Sequence, residues 1–355
     1  SEKSSNKHQE ILGQDMITRK KHVTLTDVAR EVGVSRALVG KVLGSCSGNI
    51  RVSAETARII REAAQRLHYQ PNLSARALTG QKSGLIGVLI DAQPPAVTFR
   101  TLAFIDKYAT ENGYRLLIGE AHNSIDSLYH HYSNFMQYNV DGVICMAHDY
   151  PGQEEKLREL FRNTGNIVFI EKTILENVSC IEIDRVAAVE ALAALLLETR
   201  KRVGIVLENP LYCSVRQRRE GYYRALGRVG KEENGLTYYV PDAKISQEEM
   251  MVRVVEEFIV PEKLDAVIAP NDLAASHIMR NLLRRGIQIP KEIAVAGYDN
   301  EPFAKSLYPS LTTIDDRNEE VGRCAIQLLL ELLSAKNPVP QAVRITPCVI
   351  RRESI

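Results

Sequence analysis

From residue 84 onward, short apolar runs alternate with amphipathic stretches, and this alternation restricts the fold more than any other feature of the chain. The runs are GLIGVLI, YRLLI, DGVICM, NIVFIE, SCIEI, RVGIVL, LTYYV, DAVIA and EIAVAG. They are short, rich in β-branched residues and apolar at consecutive positions, so they suit strands buried on both faces of a sheet. The stretches between several of them are long enough, at about 10 to 15 residues, to be crossover helices. Strands alternating with helices give parallel, doubly wound sheets, and the number of runs suffices for two. In such sheets ligands sit at the carboxyl ends of the strands.

The region before residue 84 follows a different pattern. VTLTDVAREVGVSRALVGKVL, from Val23 to Leu43, predicts helix, tight turn, helix. Thr24 is the N-cap of the first helix, with Asp27 as its capping-box partner. Val28 and Ala29 face inward. Gly33 sits at the turn, where φ > 0 favours glycine. Ser35 caps the second helix. Val39, Val42 and Leu43 share one face at helical spacing, while Arg36, Ala37, Gly40 and Lys41 are expected to share the other. A recognition helix needs this division, with apolar support behind and side chains aimed at base edges in front. Ser53 caps a third helix striped by Ile60, Ala63, Ala64 and Leu67 and expected to be stopped by Pro71. A plain three-helix bundle fits these residues as well.

Charge separates the two readings. Residues 1–82 carry 14 Lys and Arg against 7 Asp and Glu, a net +7, whereas the other 273 residues carry 31 against 37, a net −6. A basic head on an acidic body suits phosphate-backbone binding. Next comes a short helix expected over 73–79, capped by Asn72 and ended by Gly80. Seven residues are too few to be helical alone in water, so the segment is expected to order on binding. Leu78 then has no core to enter, and a wedge between base steps in the minor groove would give it one. A flexible linker with an incidental leucine is the other reading.

These residues resemble the lactose-repressor/galactose-repressor (LacI/GalR) family of bacterial transcription regulators. The likeness is carried by TLTDVAREVGVS, RVSAETARIIREAAQRLHYQPN and ARAL. It continues through IGV (86–88), NGY (112–114), VDGVI (140–144), PND (270–272), GYDN (297–300) and LTTI (311–314). Gly40-Lys41 departs from the family's usual Ser then Arg, Gly44 from its usual Asn, and Pro94-Pro95-Ala96-Val97 from its NPF-like segment. These departures bear on operator choice and effector identity. The resemblance implies an all-α helix-turn-helix head and an α/β body of the type I periplasmic-binding-protein-like kind, two doubly wound parallel-sheet lobes around a cleft. The expected organisation is an unstructured extension 1–22, a head 23–69, a hinge 70–82 and a body 83–355. Within the body, one lobe takes about 84–183 and 318–345, and the other about 184–314 and 346–355.

The DNA-binding set expected from this reading is Thr24, Ser35, Arg36, Ala37, Gly40, Lys41, Arg51, Ser53, Asn72, Ala75, Arg76 and Leu78. The strand ends of the body carry a polar set suited to vicinal hydroxyls. Glu171 ends NIVFIE, Asp184 follows IEI, Asn271 follows AVIAP, Asp299 and Tyr298 follow AVAG, and Asp316 lies just past LTTI. Arg218 is placed at the opening of the helix RREGYYRAL. The resemblance implies that Arg218, Asn271 and Asp299 are effector contacts; Val97, Glu171, Asp184, Tyr298 and Asp316 complete the candidate site. Each of these residues also suits a helix cap or a solvated loop. The function implied is a sequence-specific DNA-binding repressor controlled by a sugar or sugar derivative. It is expected to be a homodimer on a near-palindromic double-stranded operator, with helix 274–285 and segment 303–308 in its interface.

No HExxH, GxSxG, Walker or GxGxxG pattern occurs, so no enzyme, cofactor, metal or catalytic residue is expected. His130-His131 suits an exposed or interface pair. Six scattered cysteines without a CxxC pair, no apolar run of membrane length and no signal-peptide pattern suit a reducing cytoplasm, with Met16 a candidate natural start. Two alternatives share the body: a sugar-binding transport protein, which needs an export signal and no basic head, and a doubly wound sugar-metabolising enzyme, which needs a nucleophile or nucleotide loop.

Overall fold

A computed structural model describes residues 23–43, 51–70, 82–91, 96–147, 149–162, 165–231, 235–241 and 245–355. The extension 1–22, the hinge helix with Asn72, Ala75, Arg76 and Leu78, and Gly44, Cys46, Pro71, Pro94 and Pro95 lie outside the described residues. The chain divides into two units, Ser1–Ser83 and Gly84–Ile355.

The first unit holds three helices, α1 (Leu25–Val32), α2 (Arg36–Val42) and α3 (Ala54–Arg66). Local chemistry fixes each end. Thr24 and Asp27 form a full capping box: the Asp27 carboxylate accepts from the Thr24 N–H at 2.9 Å, and the Thr24 hydroxyl accepts from the Asp27 N–H at 3.3 Å. Gly33 adopts φ 74° and closes α1. Ser35 caps α2 through the Leu38 N–H at 3.2 Å, and Ser53 caps α3 through the Thr56 N–H at 3.1 Å. Val28, Ala29, Val39, Ile60, Ala63 and Ala64 form the core. Two expectations need correction. Gly40 is buried rather than open and, lacking a side chain, presents nothing outward. And α3 ends at Arg66, short of Pro71, with His68 in the left-handed region at φ 52°. The left-handed turn at His68 ends the helix before the proline, while Leu67 and Tyr69 still pack against the head core.

The body runs in chain order β1 (Leu85–Ile90), α4 (Ala96–Glu111), β2 (Arg115–Glu120), α5 (Ile125–Gln137), β3 (Gly142–Cys145), α6 (Glu154–Leu160), β4 (Ile167–Ile170) and β5 (Ser179–Ile183). Then come α7 (Arg185–Leu197), β6 (Val203–Leu207), α8 (Cys213–Arg228), β7 (Leu236–Tyr239), α9 (Gln247–Val254, continued as a π-helical turn), β8 (Ala266–Ile268), α10 (Asp272–Arg284) and β9 (Ala294–Ala296). It finishes with β10 (Thr313–Asp315), α11 (Asn318–Ser334), β11 (Ala342–Ile345) and β12 (Cys348–Ile350).

One sheet has the order β11-β5-β4-β3-β1-β2 and the other β7-β6-β8-β9, all neighbours parallel, while β10 and β12 form an antiparallel pair. Helices cover both faces of each sheet. In the first, α4 and α11 pack around Ile105, Ile144 and Leu329 on one side, and α5 and α6 around Leu128, Leu157 and Phe169 on the other. In the second, α9 and α10 pack around Val254, Ile278 and Val295, and α7 and α8 around Leu192, Ile205 and Tyr222. All nine apolar runs are strands. The apolar runs do not reveal β10, β11 and β12, which are only three or four residues long, β11 being broken by Arg344 and β12 part exposed. The chain passes between the two sheet systems near Asp184, near Asp316 and between β11 and β12. Cys145 and Cys180 are buried thiols, and Cys348 is exposed.

The helices α7 and α8 cross closely at Gly221. A Cβ at Gly221 would stand 2.4 Å from the Val186 carbonyl oxygen and 3.0 Å from the Glu190 nitrogen, both backbone atoms that cannot rotate away. Gly221→Ala is therefore expected to push the helices apart and cost about 1–3 kcal/mol or more, despite alanine's better helix propensity. Urea unfolding of the full chain followed by circular dichroism measures it; unchanged stability would show that the crossing relaxes freely.

Candidate functional site

The polar residues at the strand ends meet where the chain passes between its sheets. Arg185, the first residue of α7, is 6% exposed. Its guanidinium donates to the Glu171 carboxylate at 2.5 Å and to Asp316 at 3.3 Å. The Tyr298 hydroxyl donates to the second Asp316 oxygen at 2.6 Å. The Arg218 guanidinium lies 3.9 Å from the centre of the Tyr298 ring, and its Nη1 donates to the Pro270 carbonyl at 2.7 Å. Glu171, Arg185, Asp316, Tyr298 and Arg218 thus form one connected series, from the end of β4 in the first sheet to α8 on the second.

Asp299 lies beside Tyr298, 3% exposed and at φ 103°. Burial pushes its carboxyl well above the usual carboxylate range, and facing Arg218 opposes this without cancelling it. Asp272 is fully buried; it accepts from the Thr313 hydroxyl at 2.6 Å and the Glu301 N–H at 2.7 Å, yet burial still raises it to about 6. Burial also raises Tyr298. For Arg185 burial disfavours the charge, but the Glu171 and Asp316 carboxylates overcome it and hold the proton more firmly.

Asp184 caps α7 through the Ala187 N–H at 3.1 Å and pairs with Arg344 at 2.7 Å. Asn271 caps α10 through the Ala274 N–H at 2.8 Å and receives the Gln247 amide at 3.4 Å. For these two the cap is a real use of the side chain. Val97 is half-buried in the first turn of α4, its carbonyl accepting from Thr101 at 3.1 Å. Arg218 does not open its helix: α8 starts at Cys213, whose N–H donates across to Asp149, just past β3, at 2.7 Å. The apolar interruption CSV inside that first turn hid the start. Arg185 was missed altogether. A cation in the first turn of a helix opposes the helix dipole, and this one precedes the apolar run VAAV; both facts signal carboxylates nearby.

Arg218 Nε and Arg185 Nε are buried without a hydrogen-bond partner among the described residues. A guanidinium with a spare donor, facing a buried carboxyl, can hold a small polar molecule from two sides. Among the described residues no cluster of His, Cys, Asp or Glu is set to hold a metal ion, and no helix is long and apolar enough to cross a membrane. His130 is exposed, and its ring meets His131 edge-on at 6.0 Å.

In the head, Arg36 and Ala37 are exposed on the first turn of α2, and Lys41 is half-buried one turn on. Thr24, Ser35, Arg51 and Ser53 are exposed, and the hydroxyls among them serve as helix caps. Arg30, Arg58 and Arg66 pair with head carboxylates, at Asp27, Glu55 with Glu62, and Glu31. Among the described residues no such carboxylate pairs with Arg36.

Residues 24–72 match the model of bacterial regulatory proteins of the lacI family, and residues 192–355 match the periplasmic binding protein-like domain. The HTH-type transcriptional repressor PurR of Escherichia coli O139:H28 is 27% identical over 338 residues, 94% of this chain and 96% of that one. Among solved structures, a lac repressor dimer bound to operator and the anti-inducer ONPF superposes with TM-score 0.80 at 21% identity, covering 94% of this chain and 99% of that one. A complex of the transcriptional regulator CelR with cellobiose superposes with TM-score 0.66 at 20% identity, covering 94% and 100%. The described architecture is thus the helix-turn-helix head and two-lobed, periplasmic-binding-protein-like body of these structures.

Removing Arg185 leaves buried Asp316 and part-buried Glu171 without their cation. Arg185→Ala is expected to lower unfolding stability by about 3–5 kcal/mol. Arg224→Ala, which breaks an exposed pair with Glu220, is expected to cost no more than about 1 kcal/mol. Parallel urea titrations compare them, and equal losses would remove Arg185 from its central place.

Proposed function

Because the chain belongs to the lacI family of bacterial regulatory proteins, we propose that it is a sequence-specific transcriptional repressor whose operator affinity is set by a small molecule bound between its two lobes. The observation that carries this reading is the linked series from Glu171 through Arg185, Asp316 and Tyr298 to Arg218, with buried Asp299 beside it, in a chain that begins with a helix-turn-helix. Transport proteins and doubly wound enzymes account for the body and leave the basic head without a role.

The roles divide by chemistry. Arg36 and Ala37 read base edges in the major groove, Arg36 by paired hydrogen bonds and Ala37 by apolar contact. Lys41, Arg51 and the N-capped helix starts at Thr24, Ser35 and Ser53 serve the phosphate backbone. Asn72, Ala75, Arg76 and Leu78 act as the hinge, with Leu78 the minor-groove wedge. In the body Arg218 and Asp299 contact the effector, with Asn271 and Tyr298 at its sides. The chemical class favoured is a carbohydrate, because one guanidinium, an amide and a carboxyl can hold neighbouring hydroxyls. Two heads on a near-palindromic operator need a homodimer, whose interface we assign to α10 and segment 303–308. There Leu273, Leu283, Phe303 and Tyr308 expose apolar surface, Tyr308 by 90%. The site of action is the cytoplasm, and the protein catalyses no reaction.

A pooled operator selection, repeated with a panel of carbohydrates, tests the whole reading. Arg36→Ala is expected to relax one position in each half-site by about 1–3 kcal/mol. Arg218→Ala is expected to keep basal operator affinity and lose the response to whichever carbohydrate shifts the parent protein. Unchanged base preference in the first variant, or a normal response in the second, overturns the corresponding assignment.

A further inference from the structure

One side chain of the first lobe holds the effector loop of the second. Arg100 stands on α4, which packs on the first sheet. Its Nη1 donates to the Asn300 carbonyl at 2.7 Å, its Nη2 donates to the Asp299 carbonyl, and the Glu301 carboxylate lies 3.8 Å from Nη2. A single guanidinium therefore spans two consecutive peptide carbonyls that follow β9 in the second sheet.

The held segment is strained. Asp299 at φ 103° and Asn300 at φ 48° are consecutive non-glycine residues in the left-handed half of conformational space. Such residues persist only where their surroundings over-determine them. Here the fastening is divided between lobes. The second lobe takes the N–H groups: Asp299 donates to Ile314 O at 2.9 Å, Asn300 to Thr313 Oγ1 at 3.2 Å, and Glu301 to Asp272 Oδ2 at 2.7 Å. The first lobe supplies Arg100 for the carbonyls of Asp299 and Asn300. A planar fork with several donors suits this task, and a lysine ammonium does not.

We infer that Arg100 is a positioning residue of the effector site, acting across the cleft. It fixes the backbone that aims Asp299 and does so only while the two lobes are together, so ordering of the 299–301 loop and closure of the lobes are one event. A molecule that engages Asp299 then biases lobe closure through this loop, and α4 carries the change into the lobe that follows the hinge. This rests on the assignment of Asp299 to the effector site. The latch itself can be tested without any effector.

The experiment is hydrogen exchange of the full chain, read by mass spectrometry on peptides covering 297–303, the first turns of α4, and β3 as an internal reference. The variants are Arg100→Ala, Arg100→Lys and, on the same helix, Lys107→Ala, which removes an exposed pair with Glu319. Loss of a charged donor to two part-buried carbonyls is expected to speed exchange over 297–303 and in the first turns of α4 about tenfold or more, with β3 unchanged. Arg100→Lys is expected to fall between, and Lys107→Ala to match the parent. Unchanged exchange over 297–303 overturns the proposal. So does an equal rise in all three peptides, which would make Arg100 a general stabiliser. If exchange behaves as expected while Arg218→Ala still responds normally to a carbohydrate, the latch stands and the effector assignment fails.

Discussion

The buried bridge of Arg185 to Glu171 and Asp316 is the interaction around which the body is organised. Two of the three passages between the sheets begin at Asp184–Arg185 and at Asp315–Asp316, and one guanidinium ties both to the end of β4. Dehydrating three charges is costly, and their mutual attraction offsets that only with good geometry and further hydrogen bonds. Tyr298 supplies one such bond to Asp316. Because Tyr298 also lies under Arg218, the group assigned to the effector is stacked on a member of the same series. Arg218 is thereby in contact, through Tyr298 and Asp316, with the place where the lobes join.

Much of this arrangement can be read from the residues, and the failures have identifiable causes. Continuous apolar runs reveal fully buried strands, and all nine such runs lie in the two parallel sheets. The rule is blind to AVRI and CVI, whose positions are part exposed and whose strands exist because a neighbour is there to pair with. Caps are local, and Thr24, Ser35 and Ser53 act where spacing puts them. Helical spacing puts Gly40 on the outward face, but the structure buries it, because spacing alone does not say which positions neighbouring chain covers. For the site, Glu171 and Asp316 are brought together through Arg185, which no strand-end rule selects, and Tyr298 and Arg218 join them by way of Asp316. The partners of Arg185 are 14 and 131 residues away in sequence.

Charge is distributed by function as well as by domain. Three of the head's arginines, Arg30, Arg58 and Arg66, pair with head carboxylates that are already counted in its net +7. Those pairs are exposed and therefore weak, so a phosphate backbone can compete for the same arginines. Three cations of the body are used differently: Arg100, Arg185 and Arg218 point at carbonyls, carboxylates and a ring within the protein. Ionic strength therefore acts strongly on contacts of the head with DNA and much less on the shielded network of the body.

The passages between sheets also set a timetable for synthesis. The head has its whole core between Val23 and Tyr69. The first sheet is completed only by β11, at Ala342–Ile345, and the core beneath it needs α11, at Asn318–Ser334. At about 5–20 residues per second, a ribosome makes the stretch between them in tens of seconds. During that interval a finished head is tethered to a sheet that lacks its last edge strand and a covering helix. The nascent chain thus presents β5 as an open edge, which is where shielding by a chaperone would matter most.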